Sequence, residues 1–271
     1  MMPDLSPEQK MLYVQYDLLK KEFAELLSLK NEMLMHDEPF LTALYLSAVG
    51  QRQHQQYCLT VEIKMLMRRI QLMQSYINKN VCPDKLHIEQ QLEKQFEEYL
   101  QKIAQESEQL AAAKKYLTES SFLPPHIVQK IKEVYKAIVK KLHPDINPHA
   151  TDEEKDLLLK AQAAYDMSNL DALNAILLSL DMSTPLVMET PDGMKEQVGK
   201  LEEHVSKLKQ QVEELEGEFP FSFREKLADK QWIEAEQQSL DTDIATLVLE
   251  KKKYSEYLLL MEEWEPSLLT P

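Results

Sequence analysis

Glycine is nearly missing from this 271-residue chain. Only Gly50, Gly193, Gly199 and Gly217 occur, where average usage is roughly 7%. Hairpin turns and tight βα crossovers depend on glycine at positive φ, so the shortage argues against β and α/β folds, and against Gly-rich phosphate loops. Cysteine is as scarce: Cys58 and Cys82 form no Cys-x-x-Cys pair, which excludes a zinc ribbon and does not suggest a secreted disulfide scaffold. Basic charge is in deficit, with 31 Lys and Arg against 46 Asp and Glu and a net charge of −15. A general nucleic-acid binder is therefore not expected. Nowhere do 18 apolar residues run together, and the opening MMPDLSPEQK has neither a basic n-region nor an apolar core, so no membrane span or secretory signal is read. The expectation is a reduced, cytoplasmic, soluble protein, without metal or cofactor.

What the chain does have is long apolar periodicity punctuated by 13 prolines. Proline breaks helix interiors and is accepted in first turns and connections, so its positions parse a nearly Gly-free sequence. Ser6-Pro7-Glu8-Gln9 reads as an N-cap, a Pro at the first helical position and a capping-box Gln. Leu12, Tyr16, Leu19, Phe23, Leu26 and Met33 follow, mostly four and three apart, giving a first helix over about 7–36. Asp37-Glu38-Pro39 repeats the start signal and opens a second helix carrying Leu59, Ile63, Leu66, Ile70, Met73 and Ile77. Its stretch 51–56, QRQHQQ, is polar all round. Pro83-Asp84 opens a third, with Leu86, Phe96, Leu100, Ile103 and Leu110. These spacings predict an antiparallel coiled-coil bundle over residues 1–122.

Near the other end, Met194, Val198, Leu201, Val205, Leu208, Val212 and Leu215 alternate four and three without a miss, a strong coiled-coil signal. Gly217 and Phe219-Pro220-Phe221 break it. A further helix is expected from about 222 to 263, with Leu240, Ile244, Leu247, Tyr254, Leu258 and Met261 in register. The two read as an αα-hairpin whose second arm outlasts the first, its surplus seam paired with the N-terminal bundle or with a second copy of the chain. Residues 181–192, DMSTPLVMETPD, read as a linker.

Between these arms the charge changes sign. Residues 126–150 hold five Lys against Glu133 and Asp145, net +3, which leaves −18 for the rest. On a helical projection Ile127, Ile131, Val134, Ile138 and Leu142 form one apolar face, Lys132, Lys136, Lys140 and His143 gather roughly opposite, and Tyr135 lies at the edge. Pro144 ends this helix by disfavouring the α conformation at His143. Thr151 and Glu154 form the capping box of a second helix, whose Leu157, Leu158, Ala161, Ala164 and Tyr165 suit close antiparallel packing. A short third helix is expected over about 170–180.

With its His143-Pro144-Asp145 loop, the tyrosine eight residues upstream of the histidine and the Ala164-Tyr165 pair downstream, the stretch from about 123 to 180 resembles the J-domain family of DnaJ-like co-chaperones. The resemblance implies a small helical module that docks through its basic helix on the acidic ATPase domain of a DnaK-type chaperone. Carried onto this chain, it places Lys132, Tyr135 and Lys136 in the docking face, and His143, Pro144 and Asp145 in the loop that triggers ATP hydrolysis. Lys140 joins the face by the helical projection. The family's short first helix is missing before residue 125, and Tyr116-Leu117 or Phe122-Leu123 is expected to cover the face it leaves. Ala137 and Ile146 stand where the family often has basic residues, and the Gly/Phe-rich linker and zinc repeats of full-length DnaJ are absent.

The reading from sequence is thus an all-α chain, with long antiparallel coiled-coil helices flanking a small J-like helical module. It comprises a bundle over 1–122, the J-like domain with its loop over 123–183, and a linker and coiled-coil hairpin over 184–271. Its expected role is that of a non-enzymatic adaptor that stimulates a DnaK-type chaperone and recruits it through its arms. The alternative is a structural scaffold in which the J-like module persists as a packing element. The histidines at 36, 54, 87, 126, 149 and 204 show no metal-ligand spacing and read as surface or packing residues.

Overall fold

A computed structural model describes residues 6–119, 123–180 and 191–264. The fold is all-α, and among the described residues there is no strand. The long helices are α1 (Pro7–Glu32), α3 (Gln51–Ile77), α4 (Lys85–Glu119), α8 (Pro191–Gly217) and α10 (Lys230–Glu262). Shorter ones are α2 (Glu38–Tyr45), α5 (Pro125–Leu142), α6 (Asp152–Asp166), α7 (Leu170–Leu180) and α9 (Arg224–Ala228). Two helix starts form as the sequence dictates. Ser6 and Gln9 close a capping box on α1, and Thr151 and Glu154 close another on α6, each satisfying backbone N–H groups that a first turn leaves open.

Two starts differ from expectation. At Asp37-Glu38-Pro39 the backbone stays helical through Glu38, with π-helical turns at Met33–Asp37 and Leu46–Gly50. A π turn widens the helix where Pro39 lacks an N–H and its ring would press on the preceding turn. Beyond Phe219-Pro220 the chain forms a 3₁₀ turn at Phe221–Phe223 and the short α9 before α10 begins. The Asp229 side chain caps α10 by accepting the Gln231 N–H at 2.8 Å. Residues 181–190, most of the expected linker, lie outside the described residues.

The chain divides into two compact units, one of residues 1–39 with 121–222 and one of 40–120 with 223–271. This corrects the sequential division at 122 and 183, and the pairing of α8 with α10. Within the first unit α8 packs along α1. Glu8–Lys195 (2.6 Å), Gln15–Glu202 (2.7 Å) and Glu22–Lys209 (2.6 Å) cross between them, each contact seven residues further along both helices, so the pair is parallel. The α8 seam buries Met194, Val198, Leu201, Val205, Leu208 and Val212 as its heptads require. A heptad pattern specifies that a partner is needed but not which one or in which direction, and both were misassigned for that reason.

In the second unit α10 lies parallel to α3, with Arg52–Asp241 (2.9 Å), Gln56–Asp243 (3.0 Å) and Glu62–Lys251 (2.8 Å) bridging them. The α3 and α4 helices do form the expected antiparallel hairpin, joined by Arg69–Glu89 (2.6 Å), Arg68–Gln95 (3.0 Å) and His54–Glu106 (3.1 Å). Val61, Met73, Ile88, Leu92, Phe96, Leu258 and Met261 form the core of this unit.

The core of the first unit gathers α5, α6 and α7 around α1 and α8. Tyr135, Ile138, Val139, Leu142, Ile146, Ala161, Tyr165, Leu173, Leu201 and Phe23 are almost fully buried in it. The apolar face left by the missing first helix is therefore covered by α7 and α1. Of the expected covers, Tyr116 and Leu117 belong to α4 of the second unit, Leu123 is exposed, and Phe122 lies outside the described residues.

Candidate functional site

The loop between α5 and α6 carries the one specific motif of the sequence. His143 closes α5 with an extended backbone (φ −65°, ψ 129°), the conformation that a following proline imposes. Its carbonyl then accepts the Ile146 and Asn147 N–H groups at 3.0 and 2.8 Å. The Asn147 side-chain amide donates to the Lys140 and Lys141 carbonyls at 3.2 and 2.6 Å, so carbonyls left open at the end of α5 are satisfied by the loop itself. Ile146, where a basic residue was noted as missing, is fully buried and plugs the turn into the core.

The histidine ring is part of this closure. Its Nδ1 accepts the Asp145 backbone N–H at 3.2 Å, and the ring leans on Phe23 with centroids 4.7 Å apart. Burial holds the His143 pKa below the ordinary histidine value, with Asp145 opposing that shift and His204 adding to it. Pro144 is exposed. The Asp145 carboxylate stands 3.2 Å from Nδ1 of His204 on α8 and 3.9 Å from Nδ1 of His143. A groove of about 440 Å³ opens beside it, lined by Tyr16, Pro144, Asp145, His149, Lys200 and His204 among others.

The face assigned to docking is not solvent-facing as the projection implied. Helix α1 lies along α5. The Lys132 ammonium pairs with Glu32 and its side chain is only 24% exposed. Tyr135 is 1% exposed, stacked on Tyr165, and its hydroxyl accepts a hydrogen bond from the Asn31 amide at 2.9 Å. Burial pushes the Tyr135 phenol up to about 12. Tyr135 is therefore a core residue of this unit. The 100°-per-residue projection placed it at an edge that a partner helix then covered. Lys136 and Lys140 are half-buried, whereas Lys130 and Lys141 are exposed.

Contacts from α1 continue down to the loop. The Tyr16 hydroxyl donates to the Ile146 carbonyl, and the Lys20 ammonium reaches the Asn147 side-chain oxygen at 3.4 Å. Burial lowers the Lys20 pKa, with Asp17 opposing and Lys140 adding to the effect. Sequence reasoning missed Tyr16, Asn31, Glu32, Asn147 and His204 as parts of this site. Asn147 carried a local signal, since a polar side chain just after a Pro-terminated helix is a natural cap for its carbonyls. The others lie far away in sequence: Tyr16 of α1 and His204 of α8 reach the loop, whereas Asn31 and Glu32 of α1 reach Tyr135 and Lys132 on α5.

Among the described residues no group of three or more His, Cys, Asp or Glu side chains is placed to hold a metal, and no helix is long and apolar enough to cross a membrane. Comparison with known proteins finds no family model, no curated protein and no solved structure that matches the chain.

Proposed function

We propose that this chain is a helical adaptor of the J-domain kind, a co-chaperone for a DnaK-type ATPase whose chaperone-facing surface is held closed by its own α1 and α8. The observation that supports this reading is the His143-Pro144-Asp145 loop. It joins two antiparallel helices, keeps Pro144 at the surface and holds the Asp145 carboxylate between two histidines. Half-buried Lys140 and exposed Lys141 stand beside it in the last turn of α5, where lysines are favoured by the helix dipole and steer association with an acidic partner. Closure by α1 means that docking requires release of the Lys132–Glu32 and Tyr135–Asn31 contacts. The role is that of a non-enzymatic cytoplasmic partner, with the remaining coiled-coil surface available for a client protein.

A second reading is favoured by one observation, the complete burial of Tyr135 under α1. On that reading the chain is a coiled-coil scaffold, and the α5–α6 hairpin is a packing element that anchors α1 and α8.

Single-turnover ATP hydrolysis by a DnaK-type chaperone separates the two. The proteins compared are the wild type, Asp145→Asn, a loosened Asn31→Ala/Glu32→Lys variant, and that variant with Asp145→Asn added. Stimulation that appears or increases on loosening and is lost with Asp145→Asn supports the closed co-chaperone. No stimulation by any of the four overturns it in favour of the scaffold. Stimulation indifferent to Asp145 removes the trigger assignment.

A further inference from the structure

We propose that His54 and Cys58, one turn apart on α3, form a two-ligand site for a zinc-class divalent cation, with Glu106 of α4 orienting the imidazole and water completing the coordination. The site lies within the second unit and stands or falls independently of the co-chaperone reading.

Geometry carries the assignment. The Cys58 Sγ and His54 Nε2 atoms are 3.5 Å apart. A tetrahedral zinc with a sulfur at about 2.3 Å and a nitrogen at about 2.1 Å places those two ligand atoms about 3.6 Å apart, so the pair needs almost no rearrangement to share one ion. The other ring nitrogen, Nδ1, lies 3.1 Å from Glu106 Oε2. A carboxylate there fixes the tautomer, with the proton on Nδ1 and the lone pair of Nε2 turned toward the sulfur. This is the arrangement in which carboxylates orient zinc-bound histidines. Thiolate and imidazole together select zinc-class ions over magnesium or calcium.

The surroundings suit a cation with open positions. A groove of about 500 Å³ is lined by His54, Glu106, Gln53, Gln56, Tyr57 and Thr60 among others, giving water and metal a route to the ring. The negative charges of Glu62 and Glu106 act on Cys58 and favour a cation there, which on binding displaces the thiol proton to solvent. Lys102 pairs with the second Glu106 oxygen at 3.8 Å and sits over the Tyr57 ring, leaving Oε2 for the histidine. With only two protein ligands the site is exchangeable, unlike a closed four-ligand structural centre. His54 lies in the polar stretch 51–56 that interrupts the α3 seam, and Cys58 follows one turn later, two residues beyond that stretch.

The test is titration of the metal-free, reduced full-length protein with Co²⁺, following thiolate-to-cobalt charge-transfer absorption and its displacement by Zn²⁺. The proposal expects saturation at one equivalent, loss of the absorption in Cys58→Ser, and no change in Cys82→Ser. His54→Gln should weaken binding at least about tenfold, and Glu106→Gln by about ten- to a hundredfold, the usual range for an orienting carboxylate. A measurement on the wild type covers the case in which a variant loses helicity. Zn²⁺ should protect Cys58, but not the exposed Cys82, from iodoacetamide, as mapped by mass spectrometry. Absence of saturable absorption, an absorption that follows Cys82, or unprotected Cys58 would each overturn the site.

Discussion

Tyr135 lies against Tyr165 with ring centroids 4.3 Å apart and planes 29° from parallel. A tyrosine placed on a docking face by its distance from the His-Pro-Asp motif is thereby an aromatic pillar between α5 and α6. Its replacement should be felt in stability before it is felt in binding. Tyr135→Ala is expected to destabilise the protein by about 3–5 kcal/mol, the usual range for truncating a buried aromatic side chain. Tyr135→Phe, which loses only the hydrogen bond from Asn31, should cost about 1 kcal/mol. Urea unfolding followed by circular dichroism checks both. A change within about 0.5 kcal/mol for Tyr135→Ala, as at an ordinary surface site, would contradict the burial.

The direction of the α1–α8 pair gives a geometric prediction. Gln15 and Glu202 are hydrogen-bonded at 2.7 Å, with Glu8–Lys195 on one side and Glu22–Lys209 on the other. In a chain with both native cysteines replaced by serine, Gln15→Cys with Glu202→Cys should cross-link efficiently with a short bismaleimide. Gln15→Cys with Lys195→Cys or Lys209→Cys, a full heptad out of register, should react much more slowly. Equal efficiencies would show that the register is not fixed.

The sequence disclosed helix content almost completely, because capping boxes at Ser6 and Thr151 and the unbroken seam from Met194 to Val212 are local signals with local causes. Pairing was not disclosed. The heptads of α8 would serve a partner of either direction, and only the ladder of contacts to α1 decides. The candidate site divides along the same line. The extended His143 and the ends of α5 and α6 follow from Pro144 and Thr151. By contrast, the burial of Tyr135 and the partners of Lys132 and Asp145 depend on Asn31, Glu32 and His204, about 60 to 110 residues away. Helical projection shows a helix as if alone, so it cannot tell a solvated basic face from one that another helix covers.

Asn147 closes the His-Pro-Asp loop by donating to two carbonyls at the end of α5, and it receives Lys20 from α1. Asn147→Ala should cost about 1 kcal/mol of global stability and a larger share of local order. Hydrogen exchange is the sensitive probe. The Ile146 and Asn147 amides, both bonded to the His143 carbonyl, should exchange faster in the variant while amides in α10 keep their wild-type rates. Unchanged protection at both positions would mean that the proline and the buried Ile146 hold the loop unaided.

His143 makes the closed face sensitive to acid. Burial lowers its pKa in the folded protein relative to the unfolded chain, and the groups facing it are Asp145, which opposes the shift, and His204, which adds to it. Between the unfolded value near 6.5 and the lower folded value, the unfolded chain binds a proton that the folded one does not. The stability due to neutral His143 is therefore fully present above the unfolded pKa and is lost as pH falls through this window, by at most about 1.4 kcal/mol per pH unit for one proton. His143→Gln keeps an acceptor for the Asp145 N–H but does not titrate. The loss of stability between pH 7 and pH 5 should therefore be smaller in the variant than in the wild type, measured by urea unfolding at both pH values. His204→Gln in parallel separates the contribution of the second ring beside Asp145. An identical pH dependence in wild type and His143→Gln would show that the ring protonates without disturbing its contacts with Phe23 and the loop.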